Sequence, residues 1–109
     1  MNFRKIFIAI LITIVTIPLV IFLWKSDFFL ILAILILVMV KHRLFPSARE
    51  GLVFLISGVV GSLAESAMML GGGWSYQSPR VLNFPLYLPF LWGLVGVVGI
   101  SLYEGLTGR

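Results

Sequence analysis

A single carboxylic acid, Glu65, lies in a stretch of sequence that is otherwise apolar or small. An ionisable side chain at membrane depth is costly, so such residues commonly serve in proton transfer, ion binding or ligand binding. A protonated Glu65 can act as a general acid, and an ionised one can bind a cation. Glu65 is therefore the candidate catalytic residue. The alternative is a structural carboxyl that hydrogen-bonds across helices and locks their register.

The 14 residues at positions 71–84 form a long connection after Glu65, with aromatic and glycine residues. Structureless connections of this length are uncommon in compact domains and are often functional. The glycines at 71–73 can act as a hinge that folds the connection back over Glu65. The predicted ligand-binding residues of the resulting pocket are Glu65, Trp74, Tyr76, Arg80 and Trp92. For the aromatic residues the alternative is an interfacial belt, and for Arg80 it is a headgroup anchor.

Four apolar segments must position these residues, and we expect helices at about 6–24, 27–45, 48–70 and 86–104. The first segment is about 28 Å long as a helix, which spans a bilayer core. Its basic start is like that of a signal peptide, but the segment is too long and lacks a cleavage site. The sequence thus predicts an all-α fold, a four-helix transmembrane bundle, with residues 1–109 as a single integral membrane domain.

Composition supports this fold class and excludes several functions. Hydrophobic residues make up 61% of the chain and charged residues 11%, against roughly 25% charged in soluble domains. The net charge of +4 is small and scattered, so we expect no nucleic-acid partner. Cysteine is absent and there is one histidine, so we expect no metal site and no cofactor. The expected partner is the lipid bilayer.

Small residues recur along the third and fourth helices and predict where these helices pack closely. Several of them lie three to eight positions before Glu65 and share its face of the third helix. We expect the third helix to be the central one, with Glu65 pointing into the seam between helices. The predicted packing residues are Ser57, Gly58, Gly61, Ser62, Gly93 and Gly96.

Lysine and arginine are distributed unequally between the two sides of a four-span bundle. Six fall on the side of the chain ends and two on the other side. The positive-inside rule then places both termini in the cytoplasm and the 71–84 connection on the outer face of the cell membrane. The six residues are Arg4, Lys5, Lys41, Arg43, Arg49 and Arg109, and the two are Lys25 and Arg80.

The segment from Glu65 to Gly93 resembles a family of small, uncharacterised bacterial and archaeal multi-pass membrane proteins. The shared pattern is a membrane glutamate, then Gly-x-Trp-x-Tyr-x-x-Pro, then Pro-x-x-Leu-Pro-x-x-Trp-Gly. The positions that carry it are Glu65, Gly72, Trp74, Tyr76, Pro79, Pro85, Leu88, Pro89, Trp92 and Gly93. The resemblance implies a multi-pass membrane protein and no particular activity.

A second resemblance is to carotenoid-modifying membrane enzymes, namely carotenoid hydratases and small-subunit lycopene cyclases. These also place a membrane acid before a loop with tryptophan and tyrosine and a proline-rich helix start. The resemblance implies proton addition to a polyene by an acid such as Glu65. The cyclases carry further carboxylates after the proline, whereas Leu86, Tyr87 and Leu88 follow Pro85 in this sequence.

Three functions remain open from the sequence. The first is an outer-face pocket around Glu65 that binds an apolar or lipid-like molecule, with or without catalysis. The second is a proton-coupled transporter, since small multidrug exporters are similar in length, in four spans and in one membrane glutamate. Those exporters form dimers and place their glutamate in the first helix. The third is an accessory subunit of a membrane complex, so either a homo-oligomer or a complex partner fits the sequence.

Overall fold

A computed structural model describes residues 1–76, 79 and 82–108, and within them the chain forms four α-helices. They are α1 (Phe3–Leu23), α2 (Asp27–Leu44), α3 (Glu50–Met69) and α4 (Leu88–Thr107). The all-α, four-helix class predicted from the sequence is therefore confirmed.

Three of the described helices, α1, α3 and α4, are long and apolar enough to cross a membrane, at 21, 20 and 20 residues. The helix α2 has 18 residues, about 27 Å of helix. It carries charged side chains at both ends, with Asp27 in its first turn and Lys41 and Arg43 in its last. That α2 crosses the membrane stays a prediction, and it depends on how these terminal charges are accommodated.

Short polar side chains and a proline set where three helices begin. The Asn2 side chain accepts a hydrogen bond from the backbone N–H of Lys5 at 3.4 Å, and Ser26 accepts one from Phe29 at 3.5 Å. Both contacts are N-caps, which satisfy a helix donor that has no partner within the helix. In α4, Pro89 lies in the first turn, where its missing N–H removes no helical hydrogen bond.

The start of α3 has the sequence of a capping box at residues 47–50, and only half of that box forms. The backbone N–H of Ser47 donates to the Glu50 carboxylate at 3.3 Å, as the motif requires. The Ser47 hydroxyl does not cap the helix and instead donates to Glu104. The residue before the helix, Arg49, has a φ of 54°, and α3 begins at Glu50, two residues later than predicted.

The central helix is α4, which packs against the other three helices, whereas α3 packs mainly against α4. The prediction that the third helix is central was wrong. Small residues recur in both helices, but α4 buries residues along its whole length and on several faces. These buried residues are Leu88, Gly93, Leu94, Val97, Ser101 and Gly105. The buried residues of α3 are only Glu50, Gly58, Ser62 and Met69.

The interior consists of two apolar clusters, and both include residues near the start of α4. The larger one lies between α1, α2 and α4 and contains Ile8, Ile12, Leu30, Ile34, Tyr87 and Leu94. The smaller one contains Met69, Phe84 and Leu88, with Trp92 and Tyr76 packed against it. It fixes the end of the 71–84 connection on α3 and α4, close to Glu65.

Candidate functional site

Glycine allows α3 and α4 to approach closely on the face below Glu65. A Cβ added to Gly58 would lie 2.5 Å from the carbonyl oxygen of Pro89, and one added to Gly93 would lie 2.7 Å from the Phe54 ring. A Cβ on Gly61 would overlap the ring of Trp92. Close backbone approach of this kind is what small residues provide at helix contacts in membranes. It places Trp92 directly beside the helix turn that carries Glu65.

The other predicted packing positions lie on the same seam. A Cβ on Gly96 would overlap the Ser57 side chain, so these two positions face each other across the seam. Ser62 is buried, and its hydroxyl has no hydrogen-bond partner within the described part of the chain. Gly99, one turn further along α4 than Gly96, has no neighbour within 4 Å of an added Cβ and faces open space.

The Glu65 carboxylate accepts hydrogen bonds from three aromatic side chains, and we call these four residues the Glu65 cluster. The Tyr76 hydroxyl donates to Oε1 at 2.5 Å, and the Trp74 indole Nε1 donates to the same oxygen at 3.4 Å. The Trp92 indole donates to Oε2 at 2.6 Å. Indole is a donor only, and an ionised carboxylate is an acceptor only. The arrangement therefore suits an ionised carboxylate whose three described partners are neutral.

Two contacts outside the Glu65 cluster hold the connection in place, and sequence analysis did not anticipate either. The Ser66 hydroxyl donates to Asn83 Oδ1 at 2.5 Å, and Asn83 Nδ2 donates to the Ser66 carbonyl at 3.1 Å. The Tyr87 backbone N–H donates to Asp27 Oδ1 at 3.3 Å, which places a carboxylate at the N-terminus of α4. Negative charge is favourable there because of the helix dipole.

A cavity of about 420 Å³ lies next to the Glu65 cluster, and we call it the aromatic pocket. Its walls come from the end of α1, from the 71–84 connection and from the residue that precedes α4. The lining residues are Val20, Ile21, Trp24, Ser75, Tyr76 and Tyr87. Tyr76 belongs to both features, so its ring lines the aromatic pocket while its hydroxyl contacts the carboxylate of Glu65.

Burial raises the pKa of the Tyr76 hydroxyl, and its hydrogen bond to Glu65 and the charge of that carboxylate raise it further. Burial also raises the pKa of Tyr87, with smaller contributions from the charges of Asp27 and Glu65. Both phenols therefore stay neutral over a wide pH range. Each presents an uncharged aromatic face to the aromatic pocket.

Replacing Glu65 with glutamine is expected to lower the pKa of Tyr76, because the change removes the negative charge that disfavours the phenolate. An acid whose pKa is raised by folding contributes stability below its unfolded pKa, about 10 for tyrosine, and loses it as the pH rises further. The contribution of Tyr76 to the stability of the wild-type protein should thus be lost only in strongly alkaline solution. Ultraviolet absorbance of tyrosinate measures the titration directly.

When Tyr76 is replaced with phenylalanine, the further change Glu65→Gln should alter the tyrosinate titration much less than it does in the wild-type protein. The small response that remains belongs to Tyr87, which is also influenced by Glu65. A tyrosinate titration that is the same in the wild type and in Glu65→Gln would contradict the Tyr76–Glu65 contact.

At the opposite end of the bundle, charged and polar side chains from all four helices and the 45–49 turn form a second group, which we call the ionic cluster. Lys41 Nζ lies 2.8 Å from Glu50 Oε1 and donates to Ser47 Oγ at 2.7 Å. The Ser47 hydroxyl donates to Glu104 Oε1 at 2.5 Å. The Lys41 side chain is 0% exposed and that of Glu50 3%. Burial of these charges is tolerated because each has an opposite charge and further hydrogen bonds.

Two further residues complete the ionic cluster at its edge. Lys5 Nζ lies 3.4 Å from Glu104 Oε1, and His42 Nδ1 lies 2.8 Å from Glu50 Oε2. The cluster thus connects α1 and α2 to the ends of α3 and α4. Within the described residues, no group of three or more histidine, aspartate and glutamate side chains has the geometry to hold a metal ion.

Over residues 3–103 the sequence matches the family of proteins of unknown function DUF817. The chain belongs to this family. No curated protein and no solved structure matches it. The family description states no activity, so the function of this DUF817 protein has to be inferred from the geometry of its own residues.

The structure brings four of the five predicted ligand-binding residues of this DUF817 protein together, namely Glu65, Trp74, Tyr76 and Trp92. Arg80 lies outside the described residues. Sequence analysis missed Trp24 and Tyr87 in the aromatic pocket, although both are aromatic residues next to helix ends on the same side as Trp74. It also missed the ionic cluster. The available signal was the position of Lys41, Glu50 and Glu104 at helix ends that a bundle brings together.

Proposed function

We propose that this protein is an integral protein of the cell membrane that binds an apolar or lipid-like molecule in the aromatic pocket beside Glu65. One observation carries the proposal. The Glu65 carboxylate is held by three aromatic donors, and one of them, Tyr76, also lines a cavity of about 420 Å³. Concave, mostly apolar sites with a few convergent polar groups are the usual form of small-molecule sites.

We infer that the aromatic pocket extends into a groove along α1 and α4, because a second cavity lies further along α1. A second cavity, of about 320 Å³, is lined by Thr13, Thr16, Ile17, Leu91, Leu94, Val95, Val98 and Gly99. Ile17 precedes Ile21 by four residues and therefore lies on the same face of α1. The hydroxyls of Thr13 and Thr16 donate to carbonyls of their own helix. A long apolar molecule such as a polyene fits this groove, in line with the resemblance to carotenoid-modifying enzymes.

The charge distribution supports a location of the aromatic pocket on the outer face of the membrane. Of the lysines and arginines that the structure describes, five lie toward the end of the bundle with the ionic cluster and one, Lys25, toward the end with the Glu65 cluster. An excess of lysine and arginine is characteristic of cytoplasmic segments. Both chain ends are then cytoplasmic, and the ligand enters from the outer leaflet.

The three tryptophans of the chain allow a direct test, because all of them lie at the proposed site. Trp24 lines the aromatic pocket, and Trp74 and Trp92 bind the carboxylate of Glu65. A brominated lipid, titrated at low mole fraction into nanodiscs that contain the protein, should quench the tryptophan fluorescence in a saturable way. Contact with bulk lipid alone gives quenching that increases without saturation.

Gly99→Leu is the variant that tests the groove without disturbing the fold. A side chain at this position meets no neighbour within 4 Å of its Cβ and projects into the 320 Å³ cavity. We expect the saturable quenching to be lost in Gly99→Leu and retained in Gly51→Leu, since Gly51 also has open space but lies away from the groove. Quenching that does not saturate in the wild type, or that is equal in both variants, would contradict the proposal.

A further inference from the structure

The aromatic pocket has three aromatic side chains in its wall, Trp24, Tyr76 and Tyr87. Aromatic faces attract cations, and groups of them recognise quaternary ammonium ligands. The protein already shows this preference with one of its own side chains. Lys25 Nζ lies 5.4 Å from the centroid of the Trp24 ring, so one face of that ring already interacts with a cation of the protein itself.

The charges around the aromatic pocket favour a cation as well. Two of the four acidic residues of the chain flank it. Glu65 contacts Tyr76, and Asp27 accepts a hydrogen bond from the backbone of Tyr87. The carboxylates of Asp27 and Glu65 both act electrostatically on the Tyr87 phenol in the pocket wall.

We propose that the lipid-like ligand has a cationic head, of the alkylammonium class, which binds between Trp24, Tyr76 and Tyr87. This inference rests on the proposed function and adds the chemical class of the ligand. The head lies in the aromatic pocket near the two carboxylates, and the alkyl chain follows α1 past Val20 into the groove at Ile17. The residues of α1 that line the two cavities, from Thr13 to Trp24, span about 16 Å of helix.

Equilibrium binding of three radiolabelled amphiphiles to the protein in nanodiscs tests the head group. The three are an alkyltrimethylammonium, an alkyl sulfate and an alkyl maltoside with the same alkyl chain. We expect the ammonium compound to bind about tenfold more tightly than the maltoside, the size of a partly desolvated cation–π contact. The sulfate should bind most weakly, because both flanking side chains are acidic.

Two variants at the end of α1 distinguish a specific role of the aromatic pocket wall in binding from a general effect of mutating this helix. Trp24→Leu should abolish the preference for ammonium over maltoside. Phe22→Leu, on an exposed part of α1 that faces a different groove, should leave that preference unchanged. Lys25→Ala should strengthen binding of the ammonium compound, because the change frees one face of Trp24 and removes a positive charge. A purely structural role of Trp24 predicts no such gain.

The outcomes distinguish this inference from the proposed function. If the maltoside or the sulfate binds as tightly as the ammonium compound, or if Lys25→Ala weakens ammonium binding, the cationic head is wrong while a lipid-binding groove stands. If none of the three amphiphiles binds in a saturable way and brominated lipid also gives no saturable quenching, the proposed function itself fails.

Discussion

Replacing Lys41 with methionine is expected to destabilise the protein by about 3–5 kcal/mol, because the change leaves a buried carboxylate without its cation. Lys41 is fully buried, and its Nζ contacts both Glu50 Oε1 at 2.8 Å and Ser47 Oγ at 2.7 Å. Methionine is long and flexible and fills much of the same space as lysine. The loss of stability therefore arises mainly from the unpaired charge of Glu50 and less from a cavity. Unfolding in dodecyl sulfate, followed by helical circular dichroism, measures the change.

Arg43→Met is the matched control for Lys41→Met. Arg43 is two residues further along α2 and is exposed, so its replacement should change the free energy of unfolding by about 0.5 kcal/mol or less. The double variant Lys41→Met, Glu50→Gln should regain part of the lost stability, since a neutral amide is less costly to bury than an unpaired carboxylate. Equal effects of Lys41→Met and Arg43→Met would show that the ionic cluster does not hold the helix ends together.

The helices and the residues of the Glu65 cluster could be predicted from sequence because both depend on local patterns. Long apolar segments indicate membrane helices independently of the tertiary contacts that they make. Glycine and serine at helical spacing before Glu65 indicate a close helix contact, and the structure has Gly61 against Trp92 there. The glycine-rich start of the 71–84 connection then leaves Trp74 and Tyr76 within reach of the carboxylate.

The ionic cluster and the central position of α4 could not be predicted, because both depend on which helices become neighbours. From the sequence, Lys41 lies near the end of an apolar helix, where a lysine commonly extends its head toward water. In the structure its head is buried, because Glu50 and Ser47 lie within hydrogen-bond distance of its amino group. Charge pairing between residues on different helices leaves no periodic signal in the sequence.

The order of the helices around α4 could not be predicted from the sequence for a related reason. Glycines at 93, 96 and 99 recur every third residue and suggest one continuous packing surface. Gly93 and Gly96 do contact α3, whereas Gly99 faces the groove beside α1. A step of three residues turns less than a full helical turn, so the glycines drift from one face of α4 to the next.

Replacing Gly61 with leucine is expected to separate α3 from α4 and to release Trp92 from Glu65. Even a Cβ at this position would overlap the Trp92 ring, so the larger side chain must displace the indole or the helix. Overpacking of this kind costs about 1–3 kcal/mol, and the 2.6 Å hydrogen bond between Trp92 and Glu65 is lost in addition. We expect a lower unfolding midpoint in detergent and a change in tryptophan fluorescence.

Gly51→Leu is the control for this packing effect, since Gly51 lies in the first turn of the same helix with no neighbour within 4 Å of an added Cβ. It should be neutral or slightly stabilising, because leucine has the better helix propensity by about 1 kcal/mol. If Gly61→Leu leaves the unfolding midpoint unchanged, the tight α3–α4 contact is wrong. If it lowers the midpoint but leaves the saturable lipid quenching intact, Trp92 supports the fold without shaping the ligand site, and the binding determinants are then Tyr76 and the α1 wall.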